Sequence, residues 1–426
     1  MEFKKVKLGE CVDYILDYRG KTPKKSKTGI PTLSAKSVKN NFIDYDEVYY
    51  ISRDEYNRFM SKGFPRIGDI LMTMEAPLGL VATLDRDDVG LGQRIVTIRG
   101  KKDFLDNNYL KFYLQSPKGQ HELYSRATGT TVVGISQKNL KNIDIVIPSL
   151  ENQIRIGRIL NNYNIKIEIN NKIISNLESQ AQAIFKSWFV DFEPFQDGDF
   201  VESELEMIPE GWEVREIKDV SKRINGFSYT SKDIFDESNI NMITIKNFDR
   251  NGGLQNDSIK PISKNSKIKK DHYLKTNDIL MACTDLTQKA DIIGGVILYF
   301  ENEKFDNEIF SMDLIKLVPF EKNDTFFFYY YLKNPIFKLF AENASSGTTV
   351  LHLSKKAVDN FKIVYPAKKH IDRFNDYVFP IIKKQRNLLT QNTKLAELRD
   401  ALLPKLMAGE IDVSNIKIEG EEVKNE

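Results

Sequence analysis

A stretch about a third of the way along this 426-residue chain returns near its end, in the same order and at the same spacing. Gly129-Thr130-Thr131-Val132, followed by Ser136, Lys138 and Pro148, is matched by Gly347-Thr348-Thr349-Val350, Ser354, Lys356 and Pro366, a shift of about 218 positions. The same shift aligns Tyr113-Leu114 with Tyr331-Leu332, Pro117 with Pro335 and Leu177 with Leu395. Nearer the start of each copy the shift is about 209: Asp69-Ile70-Leu71-Met72 matches Asp278-Ile279-Leu280-Met281, and Phe3 matches Trp212. The second copy therefore carries a net insertion of about nine residues between Met281 and Phe326. A period near half the chain is too long for a solenoid, so the chain is two copies of one domain-sized unit.

Each copy follows one plan, which predicts an α+β fold. Short apolar runs bounded by Gly, Asp and Pro, such as Ile70-Leu71-Met72 and Ile293 to Tyr299, read as strands. A helical segment follows (108–114; 325–332), then the Gly-Thr-Thr loop, then a strand (143–147; 361–365) ending at a proline. The pattern then changes to a long helix, with Ser149 as the N-cap of the first. In that helix Leu160, Ile167, Ile174, Ala181 and Trp188 alternate with Tyr163, Asn170, Leu177 and Ile184. In the second, Phe374, Ile381, Leu388, Leu395 and Leu402 recur every seven, with Ile382, Leu389, Ala396 and Leu403 beside them. Heptads predict helix-on-helix packing, and equivalent places in a duplicated chain make pairing with each other the economical arrangement. Asn170, Gln385 and Asn392 in or near the seam would cost stability but fix register. The expected division is a first β-rich domain over 1–148, a central helix over 149–190 and a linker over 191–211. A second β-rich domain over 212–366, a C-terminal helix over 367–409 and an acidic tail over 410–426 follow.

The balance of 41% apolar and 29% charged residues is that of a globular protein, which sets disorder aside. Cys11 and Cys283 are too few for a disulfide framework, and neither a signal peptide nor a membrane-spanning run is evident, so a cytoplasmic protein is expected. A net charge of +2 decides nothing about nucleic acid, because affinity follows local cation clusters. Lys4, Lys5, Lys7, Arg19, Lys21, Lys24, Lys25 and Lys27 form one cluster. Lys260, Lys264, Lys267, Lys269, Lys270 and Lys275 form another, early in the second half.

Catalytic motifs are missing. An adenine methyltransferase needs an Asn/Asp-Pro-Pro-aromatic loop, and the nearest string, Asn334-Pro335-Ile336-Phe337, lacks the second proline and aligns with Ser116-Pro117-Lys118-Gly119. Neither Gly-x-Gly-x-x-Gly nor a P-loop occurs. The histidines (His121, His272, His352, His370) match no metal spacing. Asp69 and Asp278, each opening a strand, read as turn-forming residues.

Taken together, the two "GTTV…S.K…..I.I..P" stretches (129–148 and 347–366) and the helix ends LESQAQAIFKSWFVDFEPF (177–195) and LRDALLPKLMAGEIDV (398–413) resemble the specificity (S) subunits of type I restriction–modification systems, the HsdS family. Gly226-Phe227-Ser228-Tyr229 with Ser231-Lys232-Asp233, and Tyr18-Arg19-Gly20-Lys21-Thr22-Pro23, resemble that family's openings of target-recognition domains. The resemblance implies two target-recognition domains, each reading one half of a bipartite site on double-stranded DNA. It also implies two antiparallel spacer helices that fix the half-site separation and dock two methyltransferase subunits, with restriction subunits in the full complex. On this reading the chain is not an enzyme and holds no metal or cofactor. S-adenosylmethionine, ATP and Mg, adenine-N6 methylation and ATP-dependent cleavage would all belong to the partners. A helix from Glu151 to Phe189 would span on the order of 55 Å, against about 34–36 Å for one turn of B-DNA. Spacer and docking positions would be Leu160, Ile167, Ile174, Leu177, Ile184, Trp188, Ile381, Leu388, Leu395 and Leu402.

DNA readout needs Arg, Lys, Asn, Gln, Ser and Thr on rigid loops or strands. The recurring Gly129, Thr130, Thr131, Lys138, Gly347, Thr348, Thr349 and Lys356 suit phosphate positioning or a structural turn alike. Discrimination is expected where the copies differ: Arg19, Lys21, Lys24 and Lys36 in the first, and Tyr229, Lys232, Lys246, Asn247 and Thr284 in the second. The rival readings are a reader for a methylation-only system without nuclease, and a duplicated protein–protein scaffold that does not read DNA.

Overall fold

The computed structural model describes residues 2–235, 238–248, 253–254, 259–264, 267–301 and 307–416. It divides into two compact units, one of residues 1–170 with 391–426, the other of residues 171–390. Both long helices are thus shared. The central helix, Leu150–Phe189, and the C-terminal helix, Lys368–Ala408, each give one end to each unit.

In the first unit a four-stranded antiparallel sheet has the order Val12–Asp17, Ile95–Gly100, Ile70–Met74, Leu78–Thr83. A second sheet orders Lys25–Ser26, Tyr49–Ile51, Ile30–Leu33 and Gly90–Leu91. Lys4–Lys7 pairs antiparallel with Asp144–Ile147. The second unit repeats the main sheet as Ser221–Asn225, Leu314–Pro319, Ile279–Ala282, Val296–Leu298, and the outer pair as Glu213–Glu216 with Lys362–Tyr365. The expected strand Ile293 to Tyr299 is shorter, because Gly294 (φ 70°) turns the chain before Val296.

The two equivalent aspartates brace these sheets. Asp69 accepts the Arg66 backbone N–H at 2.8 Å, as a turn residue does, but it is also fully buried. There it pairs with both ends of the Arg99 guanidinium (2.6 and 2.9 Å) and accepts from the Tyr14 hydroxyl at 2.6 Å. Asp278 is half-buried and keeps the turn contact but takes a simpler cation, accepting the Lys275 N–H at 2.9 Å and the Lys316 ammonium at 3.0 Å. A buried carboxylate needs such partners, since an unpaired one costs several kcal/mol.

Within each unit the helix segments run antiparallel. In the first unit the Arg399 guanidinium donates to Asn164 Oδ1 (2.7 Å), and the Asn170 amide donates to Asn392 Oδ1 (2.8 Å). In the second, Gln385 Nε2 donates to the Ile174 carbonyl (3.3 Å) and to Glu178 (3.1 Å). Burial pushes the Glu178 carboxyl up, but Lys333, at 2.6 Å, outweighs it and holds the group below its ordinary range. Of the polar seam residues read from the heptads, Asn170 and Asn392 therefore meet each other and Gln385 bonds across to the central helix, a device that favours one register. Ser149 caps the central helix, its hydroxyl accepting the Asn152 N–H at 3.4 Å.

Two boundaries are corrected. The segment expected as a linker carries buried Phe192 and Ile208 and a strand pair, Phe200–Glu202 with Met207–Pro209, and belongs to the core of the second unit. The start of the segment expected as an acidic tail is also packed: Val413 is buried in the first unit's core, and the Ser414 carbonyl accepts from Arg155 at 2.8 Å. The rest of that tail, 417–426, lies outside the described residues.

Candidate nucleic-acid interface

The two Gly-Thr-Thr loops are the tips of small hairpins. Thr128 and Gly134 exchange backbone hydrogen bonds (2.8 and 3.0 Å) around the first, and Ser345–Ser346 pairs with Leu351–Leu353 around the second. Gly129 has φ 104° and Gly347 φ 135°. A Cβ at either would lie 2.2 Å from the Val132 carbonyl oxygen or 2.0 Å from that of Val350. Glycine is therefore required by the loop itself, and the close approach it permits is to its own chain. Thr130, Thr131, Thr348 and Thr349 are exposed at the tips, as are Lys138 and Lys356 on the short helices Gln137–Lys141 and Lys355–Asp359 that follow. Gly347→Ala is expected to destabilise the chain by roughly 1–3 kcal/mol. Urea unfolding of the full chain checks it, with Gly129→Ala behaving alike.

Arg19 stands beside the first hairpin. Its guanidinium pairs with Asp17 (2.6 Å) and donates to the Ile135 carbonyl at 3.0 Å, so the side chain is positioned and half-buried. Lys21, Lys24 and Lys36 are exposed, and the Lys24 backbone N–H is anchored on Glu55 at 2.9 Å. Of the first lysine cluster, Lys5 and Lys7 are committed to Asp144 at 3.0 and 2.5 Å, and they hold its carboxyl below the ordinary range. Arg94 was not singled out from sequence; it adopts φ 66° and pairs with Glu75 (3.2 Å), which bridges to Gly134 of the hairpin.

In the second domain Lys232 and Lys246 are exposed, and Tyr229 is half-buried, its hydroxyl accepting from Lys260 at 3.0 Å. Two expectations fail. Asn247 is fully buried, and its Oδ1 accepts from Thr244 N–H at 2.9 Å, capping a tight turn. Thr284 is buried in a strand that pairs with His352, so neither presents its side chain to a ligand.

A cleft of about 460 Å³ that sequence reasoning did not assemble opens in the second domain, between the strand Ser221–Asn225 and the loop 267–272. Lys222, Arg223, Lys267 and Lys269 line it with Asp271 and His272. The lysines of 267–270 and the Gly226-Phe227-Ser228 turn were visible separately; that Lys222 and Arg223 face them depends on strand pairing.

The docking positions expected from the heptads face inward: Leu160 and Leu388 are buried, and the other eight half-buried. Apolar side chains that the helices leave exposed are Ile165, Ile169 and Leu398 in the first unit, and Ile173, Tyr377, Phe379 and Leu389 in the second.

The family described as the type I restriction modification DNA specificity domain matches residues 1–179 and again 209–395, most of the chain and once per copy. The chain belongs to the HsdS family of type I restriction–modification specificity subunits. It is 29% identical over 400 residues, 91% of its own length and 88% of the relative's, to the type I restriction enzyme MjaIX specificity subunit of Methanocaldococcus jannaschii. It is 25% identical over 352 residues to the HindI specificity subunit of Haemophilus influenzae, covering 68% of this chain and 74% of that one. In fold it resembles the S subunit of a type I restriction–modification system from M. genitalium, with TM-score 0.52 at 16% identity over 95% and 96% of the two chains. As a specificity subunit the chain is a DNA-recognition component and not itself the catalyst. Among the described residues no helix is long and apolar enough to cross a membrane, and no group of three or more His, Cys, Asp or Glu is placed to hold a metal ion.

Proposed function

We propose that each β-rich domain of this HsdS-family chain reads one half of a bipartite site on double-stranded DNA, and that the helices fix the spacing between the halves. Two methyltransferase subunits dock on the helices, through the side chains left exposed there rather than through the heptad seam, and restriction subunits join for cleavage. Adenine-N6 methylation from S-adenosylmethionine, and cleavage with ATP and Mg, take place on those partners. The reading is carried by the duplication: two copies of one domain, each with its exposed hairpin tip, Gly129 to Val133 and Gly347 to Thr349. Phosphate contacts from Lys138, Lys356 and the tip threonines position each domain. Base readout falls to Arg19, Lys21, Lys24 and Lys36 in one copy and to Tyr229, Lys232 and Lys246 in the other.

Exchange of residues 212–366 for the corresponding domain of another specificity subunit tests this. One half of the methylated motif is expected to change, while the other half and the gap between them persist. A change in both halves would show that the domains do not read independently.

A further inference from the structure

We propose that the cleft between the strand Ser221–Asn225 and the loop 267–272 is a backbone-phosphate site through which the second domain alone grips DNA, an inference that rests on the DNA-reading role above. Its walls carry four cations against the single carboxylate of Asp271. Arg223 is already committed, its guanidinium bonded to both Asp359 oxygens (2.8 and 2.9 Å) and to Asn225 Oδ1 (2.8 Å). That leaves Asn225 its amide nitrogen to offer a ligand, and it removes the planar fork that would read a guanine edge. Lys222, Lys267 and Lys269 all line the cleft and are exposed, and lysine binds phosphate as a mobile point charge. Lys222 rests on Asp271 at 3.0 Å, with both side chains more than half exposed. Such a pair holds weakly and exchanges readily for a more highly charged anion. His272 closes the floor, its ring 5.9 Å from that of Phe227 and its Nδ1 accepting the Lys269 backbone N–H at 3.1 Å. Burial and neighbouring Lys269 hold its imidazole below the ordinary range. A neutral ring is therefore the wall at physiological pH, and the lysines supply the charge.

The first copy has no such site at the matching strand. By pairing register Tyr14 and Ile15 stand where Lys222 and Arg223 stand in the second, with Asp13 taken up at a register shift in the strand, so neither cation is repeated. The Tyr14 hydroxyl is spent on Asp69, and the Arg99 guanidinium lies 4.4 Å from its ring centroid. The copies therefore differ in how they hold DNA as well as in what they read.

The test uses the full chain assembled with its cognate methyltransferase subunits and a 40-bp duplex, with affinity measured over a series of KCl concentrations. Each lost phosphate contact lowers the log–log salt slope by roughly 0.9, so Lys222→Gln with Lys269→Gln should lower it by close to 2 and weaken binding about tenfold or more near 0.1 M salt. Asp271→Asn should tighten binding roughly threefold, an effect of opposite sign that misfolding does not produce. Lys118→Gln, on an exposed helix of the first copy, should change neither quantity. If wild type binds and the double variant matches it in slope and affinity, the phosphate site is overturned while the DNA-reading role stands. If the variant keeps the slope but alters the methylated motif, the cleft reads bases and the proposal is equally overturned. If the wild-type complex itself does not bind duplex, both fall.

Discussion

Phe374→Ala is expected to lower the stability of the second unit by about 3–5 kcal/mol, the usual cost of emptying a buried aromatic site. Phe374 is fully buried on the C-terminal helix and meets Phe189 at 5.1 Å and Phe185 at 6.0 Å, both from the central helix. It also meets Tyr330 of the second domain at 6.2 Å. One ring thus joins three elements that are distant in sequence, and its loss leaves a cavity that rigid neighbours on three sides cannot close. Urea unfolding followed by aromatic fluorescence should show the midpoint of the second unit falling while the slope is retained. A change under about 1 kcal/mol would mean that the helices are not held to this domain by that cluster.

Lys111→Met is expected to act in the other direction. Lys111 is buried in the first unit, where its ammonium donates to Asn161 Oδ1 at 3.0 Å on the central helix. Burial, reinforced by Arg399, lowers its pKa from 10.5 to about 8. The unfolded chain therefore holds this proton more tightly, so wild-type stability rises as pH climbs from about 8 towards 10.5. That gap corresponds to roughly 3 kcal/mol of strain on the charged form, present at neutral pH. Methionine removes the charge at similar volume but abandons the Asn161 hydrogen bond, so a net gain of roughly 1–3 kcal/mol at pH 7 is expected. The advantage should shrink as wild type deprotonates. Paired urea titrations at pH 7 and pH 10 check both statements. A variant less stable than wild type at pH 7 would show that the ammonium is better satisfied than its single hydrogen bond implies.

These two residues mark what could and could not be read from the chain. The heptads located both helices, and the steady shift between copies identified equivalent strands, because local periodicity and duplication are written in sequence order. Partner choice is not. Nothing in the spacing of Phe185 and Phe189 says that they pack on Phe327 and Trp212 of the second domain. Nothing in the spacing of Leu406 and Met407 says that they enter the core of the first. The C-terminal segment through Val413 and the region around Phe192 read as tail and linker because they are short and polar between apolar anchors, and their burial is set by the domain they cross to. The candidate site divided in the same way. The glycines of the hairpins stood out through their repetition, whereas the cleft at Lys222 combines a strand with a loop some forty-five positions away and carries no motif. Asn247 and Thr284 misled because polar residues that differ between the copies look like readers, yet here one caps a turn and the other is buried in a strand.

The most direct measurement is a map of adenine methylation across the DNA of cells expressing this chain with its cognate methyltransferase. The predicted result is one methylated motif made of two short half-sites separated by a fixed run of unread bases. Methylation of a single undivided site, or none from an assembled complex, would contradict a chain built as two readers on paired helices.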